Sequence, residues 1–100
     1  MNKVLFPKKD YVKELVRIFK LSKNSQKLVK TLSKYHEKDI AEAITLLTPA
    51  ERQHIYNVLD EHMIAEIFSY LDDTEKYLEE LSLEKAARVV SYMDSDDAVD

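Results

Sequence analysis

From Asp39 onward one short phrase recurs: Ile40-Ala41-Glu42 leading to Leu47-Thr48-Pro49, Ile64-Ala65-Glu66 leading to Leu71-Asp72-Asp73, and Ala86-Ala87-Arg88 leading to Met93-Asp94-Ser95. The starts stand 24 and then 22 residues apart, enough for one pair of short helices per copy. A unit of that size cannot bury its apolar face alone, so it must stack on copies of itself. The pattern therefore predicts an all-α chain built as a solenoid of short antiparallel helix pairs, of the armadillo or HEAT kind. Solenoids offer faces to partners more readily than they enclose reactive pockets.

Composition supports the helical reading. There is no glycine and only two prolines in 100 residues, so positive-φ hairpin turns have no natural supplier and helices must end on Asp, Asn, Ser or Thr. Cysteine is absent, which rules out a disulfide framework and a thiolate metal site and suits a reducing compartment. No apolar run approaches the roughly 20 residues of a membrane-spanning helix, and Met1 to Phe6 is too short for a signal peptide.

Helix starts are well marked. Thr48-Pro49-Ala50-Glu51 combines a capping hydroxyl, a proline at the first helical position and a glutamate at the third. Asp60 and Ser82 hold comparable positions, and Asp94-Ser95-Asp96-Asp97 reads as another capping box. The expected helices run over 38–47, 49–59, 61–71, 73–81, 83–93 and from 95 onward. Their inner faces are assigned to Ile40, Ile44, Leu47, Ile55, Leu59, Ile64, Phe68, Leu71, Leu78, Leu81, Val90 and Met93. Ala41, Ala65, Ala86 and Ala87 are expected to let neighbouring helices approach closely. A helix that begins at 95 is cut short at Asp100, which carries the expectation of more protein beyond.

The first part of the chain does not follow the repeat. After Pro7, an amphipathic helix over 9–21 presents Tyr11, Leu15, Ile18 and Phe19, and a second, capped at Asn24 or Ser25, presents Leu28, Val29, Leu32 and Tyr35. Residues 1–35 are expected to form a basic helical cap, and 36–100 the acidic repeat region of the same domain. Residues 1–34 hold ten basic against two acidic residues, a balance of +8; residues 35–100 hold five against seventeen, a balance of −12. The basic part reads first as a solvated face complementary to the acidic half of its own or a neighbouring chain, and next as a contact for an anionic membrane surface. Nucleic acid is disfavoured because Phe6, Tyr11 and Phe19 sit at core-like spacing, not as a stacking platform.

Nothing in the sequence builds a catalytic site. There is no glycine loop for phosphate, no nucleophile elbow and no Cys. His54 and His62 lie eight apart across an expected helix break and His36 stands at another boundary, so all three read as surface or capping residues and not as zinc ligands. The acidic residues carry more. Asp94, Asp96, Asp97 and Asp100 put four carboxylates within seven residues. They could cap a helix and complement its dipole, or together supply one or two carboxylates to a hard cation such as Mg²⁺ shared with another domain. Asp72-Asp73 and Glu79-Glu80 read as solvated surface.

His36-Glu37-Lys38-Asp39-Ile40-Ala41-Glu42, Leu47-Thr48-Pro49-Ala50-Glu51-Arg52 and Met93-Asp94-Ser95-Asp96-Asp97-Ala98-Val99-Asp100 resemble the cytosolic N-terminal domain of MgtE-type magnesium transporters. The family's closing motif resembles Asp-Pro-Asp-Asp-Ala-Ala-Asp; here Ser95 replaces the proline and Val99 an alanine, while Asp94, Asp96, Asp97 and Asp100 are kept. The resemblance implies a right-handed superhelix, followed in the parent chain by CBS domains and a transmembrane domain, in a homodimer on the cytoplasmic side of the membrane. It implies a regulatory, non-enzymatic domain that binds weak Mg²⁺ at a site shared with the CBS domains and favours channel closure. A helical-repeat adaptor like the middle domain of the flagellar switch protein FliG, without metal sensing, is the alternative, with His62-Met63-Ile64-Ala65 to Leu71 read that way.

Overall fold

The computed structural model describes residues 10–99, and the side chains of residues 10–93. The segment up to Pro7, including Phe6, and Asp100 lie outside the described residues. Among the described residues the chain forms seven helices and no strand: α1 (Tyr11–Leu21), α2 (Ser25–Leu32), α3 (Glu37–Thr45), α4 (Pro49–Val58), α5 (Glu61–Phe68), α6 (Thr74–Leu78) and α7 (Leu83–Val99).

The helix starts follow from local chemistry. Asp10, Asn24, Thr48, Asp60 and Ser82 each accept a backbone N–H three residues on, from Lys13, Lys27, Glu51, Met63 and Lys85. Thr48 and Glu51 form the full reciprocal box, the Glu51 carboxylate accepting the Thr48 N–H at 2.9 Å. His36 caps α3, its Nδ1 accepting the Lys38 N–H at 3.0 Å, as the capping reading of that histidine required.

Packing proceeds in series: α1 lies on α3 and touches α4, α3 lies on α5, and α5 on α7. The three repeated phrases thus become α3, α5 and α7, each beside the next copy. The intervening helices close the layers, Tyr56 of α4 meeting Phe68 edge-on at 5.7 Å and Tyr77 of α6 tilted against Phe68 at 6.4 Å. Ile40, Ile44, Ile55, Ile64 and Phe68 are at most 1% exposed and join Leu15, Leu28 and Leu32 of the first two helices in one continuous core. Burying each such side chain is worth about 1.5–3 kcal/mol, which is where helices of 5–11 residues such as α1 to α6 find their stability. The radius of gyration is 14.7 Å, against the ~13 Å of a compact 100-residue globule.

Two expectations need correction. No break separates residues 93 and 95: α7 runs unbroken from Leu83 to Val99, so Asp94 is inside a helix and does not cap a new one. The residues across that point include neither glycine nor proline, and Ser95 keeps the backbone N–H that proline would have removed, so nothing stops the helix. On the inner face of α7, Val89 takes the place expected of Val90, and Ala87 lies off it, while Ala86 and Met93 lie on it as expected. Val89 is fully buried, Val90 is intermediate and Ala87 is exposed. Ala86, Val89 and Met93, spaced three and four apart, form its inner stripe, with Ala86 and Met93 partly buried.

Candidate functional site

The buried face of α4 holds a charge among apolar neighbours. Arg52 is 5% exposed, and its guanidinium clamps the Glu80 carboxylate through Nε to Oε1 at 2.9 Å and Nη2 to Oε2 at 2.6 Å. Its third edge serves the turn after α3, Nη1 donating to the Leu47 carbonyl at 2.5 Å, and the Tyr77 ring lies 5.1 Å away. Tyr56 Oη donates to Glu80 Oε1 at 2.8 Å, and Gln53 Nε2 donates to the Glu80 carbonyl at 2.8 Å. No buried side-chain nitrogen or oxygen among the described residues lacks a partner, the condition under which a buried ion pair is tolerated.

Electrostatics follow that geometry. Hydrogen bonds from Arg52 hold the Glu80 carboxyl below the usual carboxylate range, and the same bonds raise Arg52. Burial, followed by its hydrogen bond to Glu80, pushes the Tyr56 hydroxyl up. Glu80 is therefore not the solvated acid that its place beside Glu79 suggested: its side chain is 18% exposed, whereas Glu79 is exposed. The sequence signal was faint. Arg52 is a cation one turn into a helix otherwise read as apolar on that face, and its partner lies 28 residues away.

Further cross-links tie α7 to the preceding copies. Lys85 Nζ donates to the Tyr56 carbonyl at 2.5 Å, and Arg88 grips Glu61 with Nε 2.9 and 2.8 Å from the two carboxylate oxygens. The His62 and Tyr92 rings stack with centroids 3.7 Å apart. These three links span 27–30 residues in sequence, a little more than one repeat. They fix the first ten residues of α7 to α4 and α5, so that the helix carries its acid-rich continuation on a rigid base.

The sequence-nominated metal residues lie on that continuation. Asp94, Asp96 and Asp97 belong to the described backbone of α7, with Asp94 and Asp97 one helical turn apart, whereas Asp100 lies outside the described residues. Their oxygen donors suit a hard cation, and a single helix supplies too few ligands to enclose one, so the donor set fits a shared and largely hydrated ion. Among the residues whose side chains are described, no group of three or more His, Cys, Asp or Glu residues is placed to hold a metal. His36 caps α3, His54 is exposed, and His62 is exposed with its ring on Tyr92, so the three histidines are not brought together. No helix among the described residues is long and apolar enough to cross a membrane.

The family model described as the MgtE intracellular N domain matches residues 35–100. No curated protein and no solved structure matches the chain. The match begins at the residue before the His36 cap of α3, takes in all three repeated phrases, the Arg52–Glu80 clamp and the acid-rich end of α7, and leaves α1 and α2 outside. The chain belongs to the family of MgtE intracellular N domains.

Proposed function

We propose that this chain is the regulatory, Mg²⁺-sensing part of a magnesium transporter or channel, acting on the cytoplasmic side of the membrane and without catalysis of its own. Membership of the MgtE intracellular N domain family is the observation that carries the reading, because the matched span includes the carboxylate-rich segment from Asp94 to Asp100. Asp94, Asp96, Asp97 and Asp100 are the proposed Mg²⁺ residues. They furnish one half of a weak, mostly hydrated site whose other half belongs to CBS domains of the same parent chain, in a homodimer that also carries the transmembrane domain. The serial packing of α1, α3, α5 and α7 supports a right-handed superhelix as the architecture, with residues 1–35 as a basic cap on the repeat region 36–100.

The mechanism is electrostatic. A region at −12 repels another acidic surface until divalent cations sit between them. Rising Mg²⁺ then exchanges repulsion for docking and shifts a two-state assembly toward its closed form. The chain's own contribution is to hold the carboxylates on one rigid helix: Lys85, Arg88 and Tyr92 anchor α7, so an ion bound near its end pulls on the whole stack. Backbone amide NMR tests the reading. Millimolar Mg²⁺ should shift resonances around Asp94 to Asp100 in this chain or in one extended through the following domain; silence in both overturns it.

A further inference from the structure

The family match leaves α1 and α2 unexplained, and these helices form one end of the stack. Between them lies an open groove of about 600 Å³ whose floor is Ile18 and Leu21 and whose rim is Arg17, Lys23 and Lys27. Leu21 is 71% exposed there, a large apolar side chain ringed by cations. The serial packing puts α7 at the other end, and the corner where α6 meets α7 has the opposite character. A cleft of about 430 Å³ at that corner is lined by Leu78, Leu81 and Leu83 and rimmed by Glu75 and Glu79. Leu83 is 90% exposed, with exposed Glu84 beside it. No cation lines this cleft; Lys85 donates to the Tyr56 carbonyl, and Lys76 lies over the Tyr77 ring. Glu51, which shares an adjoining cleft with Lys20 and Lys23, is paired with Lys20 at 3.4 Å. Each end thus presents an exposed leucine in an open apolar cleft, and the rims carry opposite charge.

We propose that copies of this chain associate head to tail, the Leu83 corner of one copy seating in the α1–α2 groove of the next. The occupant follows from charge complementarity within one sequence: a groove rimmed by Arg17, Lys23 and Lys27 has its counterpart in the acidic half of an identical chain. Because the two surfaces differ, the contact is heterologous, and it extends or closes into a ring instead of stopping at a symmetric dimer. The clefts are small, which places the association in the weak, salt-sensitive class.

Sedimentation velocity on the 100-residue chain tests this. At about 50 mM NaCl the weight-average mass should rise with concentration, and at about 0.5 M, where screening is strong, association should weaken at least about tenfold. Lys23→Glu with Lys27→Glu, and separately Leu83→Ser, change exposed residues only and should each leave a monomer of unchanged helicity. Mixed together they should form a 1:1 dimer that does not grow, since one intact corner then meets one intact groove. A monomer at every concentration in low salt overturns the proposal, as does a mixture in which nothing is restored. Binding to phosphatidylserine vesicles by a chain that stays monomeric, lost with Lys23→Glu and Lys27→Glu, also overturns it and assigns the groove to a lipid surface.

Discussion

The first two helices and the five that follow solve the same packing problem differently. The α1–α2 layer is held by Leu15, Phe19, Leu28 and Leu32, with a hydrogen bond from Tyr35 to Glu14 and the Lys20–Glu51 ion pair at its margin. From α3 onward the same kind of apolar core is crossed by polar links that reach one repeat ahead: Arg52 to Glu80, Tyr56 to Glu80, Lys85 to Tyr56, Arg88 to Glu61. Apolar layers stack in any register that buries them, whereas a bidentate clamp accepts only one. The difference teaches that the family-matched part is specified as a unit by its cross-links, and the basic layer is attached to it mainly by hydrophobic contact. Burying each link's charges is the variable that sets its worth, which substitutions can rank.

Arg52→Ala should have the largest effect. It leaves the Glu80 carboxylate and the Leu47 carbonyl without their donor in a mostly buried place, a loss of about 3 kcal/mol in chemical denaturation. In the first layer, Leu28→Ala should cost about 2.5 kcal/mol by cavity formation alone and should be indifferent to salt. A loss from Leu28→Ala larger than that from Arg52→Ala would undo the comparison.

Acid sharpens it. The Glu80 carboxyl is held below its ordinary range in the folded chain, so its stabilisation is present above the unfolded value of about 4.3 and is lost as pH falls through the folded one. Glu80→Gln should therefore be less stable than the parent at neutral pH. The gap should narrow steadily below about pH 4, measured by urea midpoints across the range. A gap independent of pH would mean that the carboxylate's charge is not what Arg52 recognises.

Smaller effects complete the series. Thr48→Ala removes one half of the capping box and should cost about 1 kcal/mol. Arg88→Ala removes a bidentate pair whose arginine side chain is 52% exposed and should cost less than about 1 kcal/mol, vanishing in high salt. If Arg88→Ala matched Arg52→Ala, burial would not be what separates the two clamps.

Much of this was legible in the residues. The repeated Ile-Ala phrase located α3 and α5, the Thr-Pro-Ala-Glu box fixed the start of α4, and eight of the twelve residues assigned to the repeat core are buried: Ile40, Ile44, Leu47, Ile55, Leu59, Ile64, Phe68 and Leu81. What escaped shares one cause. Arg52, Glu80 and Tyr56 meet only after the chain has turned through two helices, and a charged residue alone gives no sign that its partner arrives from 28 residues away. The register of α7 was ambiguous because Val89 and Val90 are adjacent valines and only packing on α5 chooses between them. Asp94-Ser95 looks like a cap by composition, yet aspartate and serine also continue a helix when neither glycine nor proline interrupts it. The run of aspartates was visible from the start; what it meets is a matter of partners, which the spacing of residues does not encode.

The proposal that carboxylates at the end of α7 act as a magnesium-dependent contact is tested most directly by small-angle scattering of the chain extended through the CBS domains proposed to follow it, with and without Mg²⁺. The account predicts that millimolar Mg²⁺ contracts the particle and that the quadruple change Asp94→Asn, Asp96→Asn, Asp97→Asn and Asp100→Asn abolishes the contraction while circular dichroism stays that of the parent. A radius of gyration that ignores Mg²⁺, or a contraction that survives loss of all four carboxylates, would contradict it.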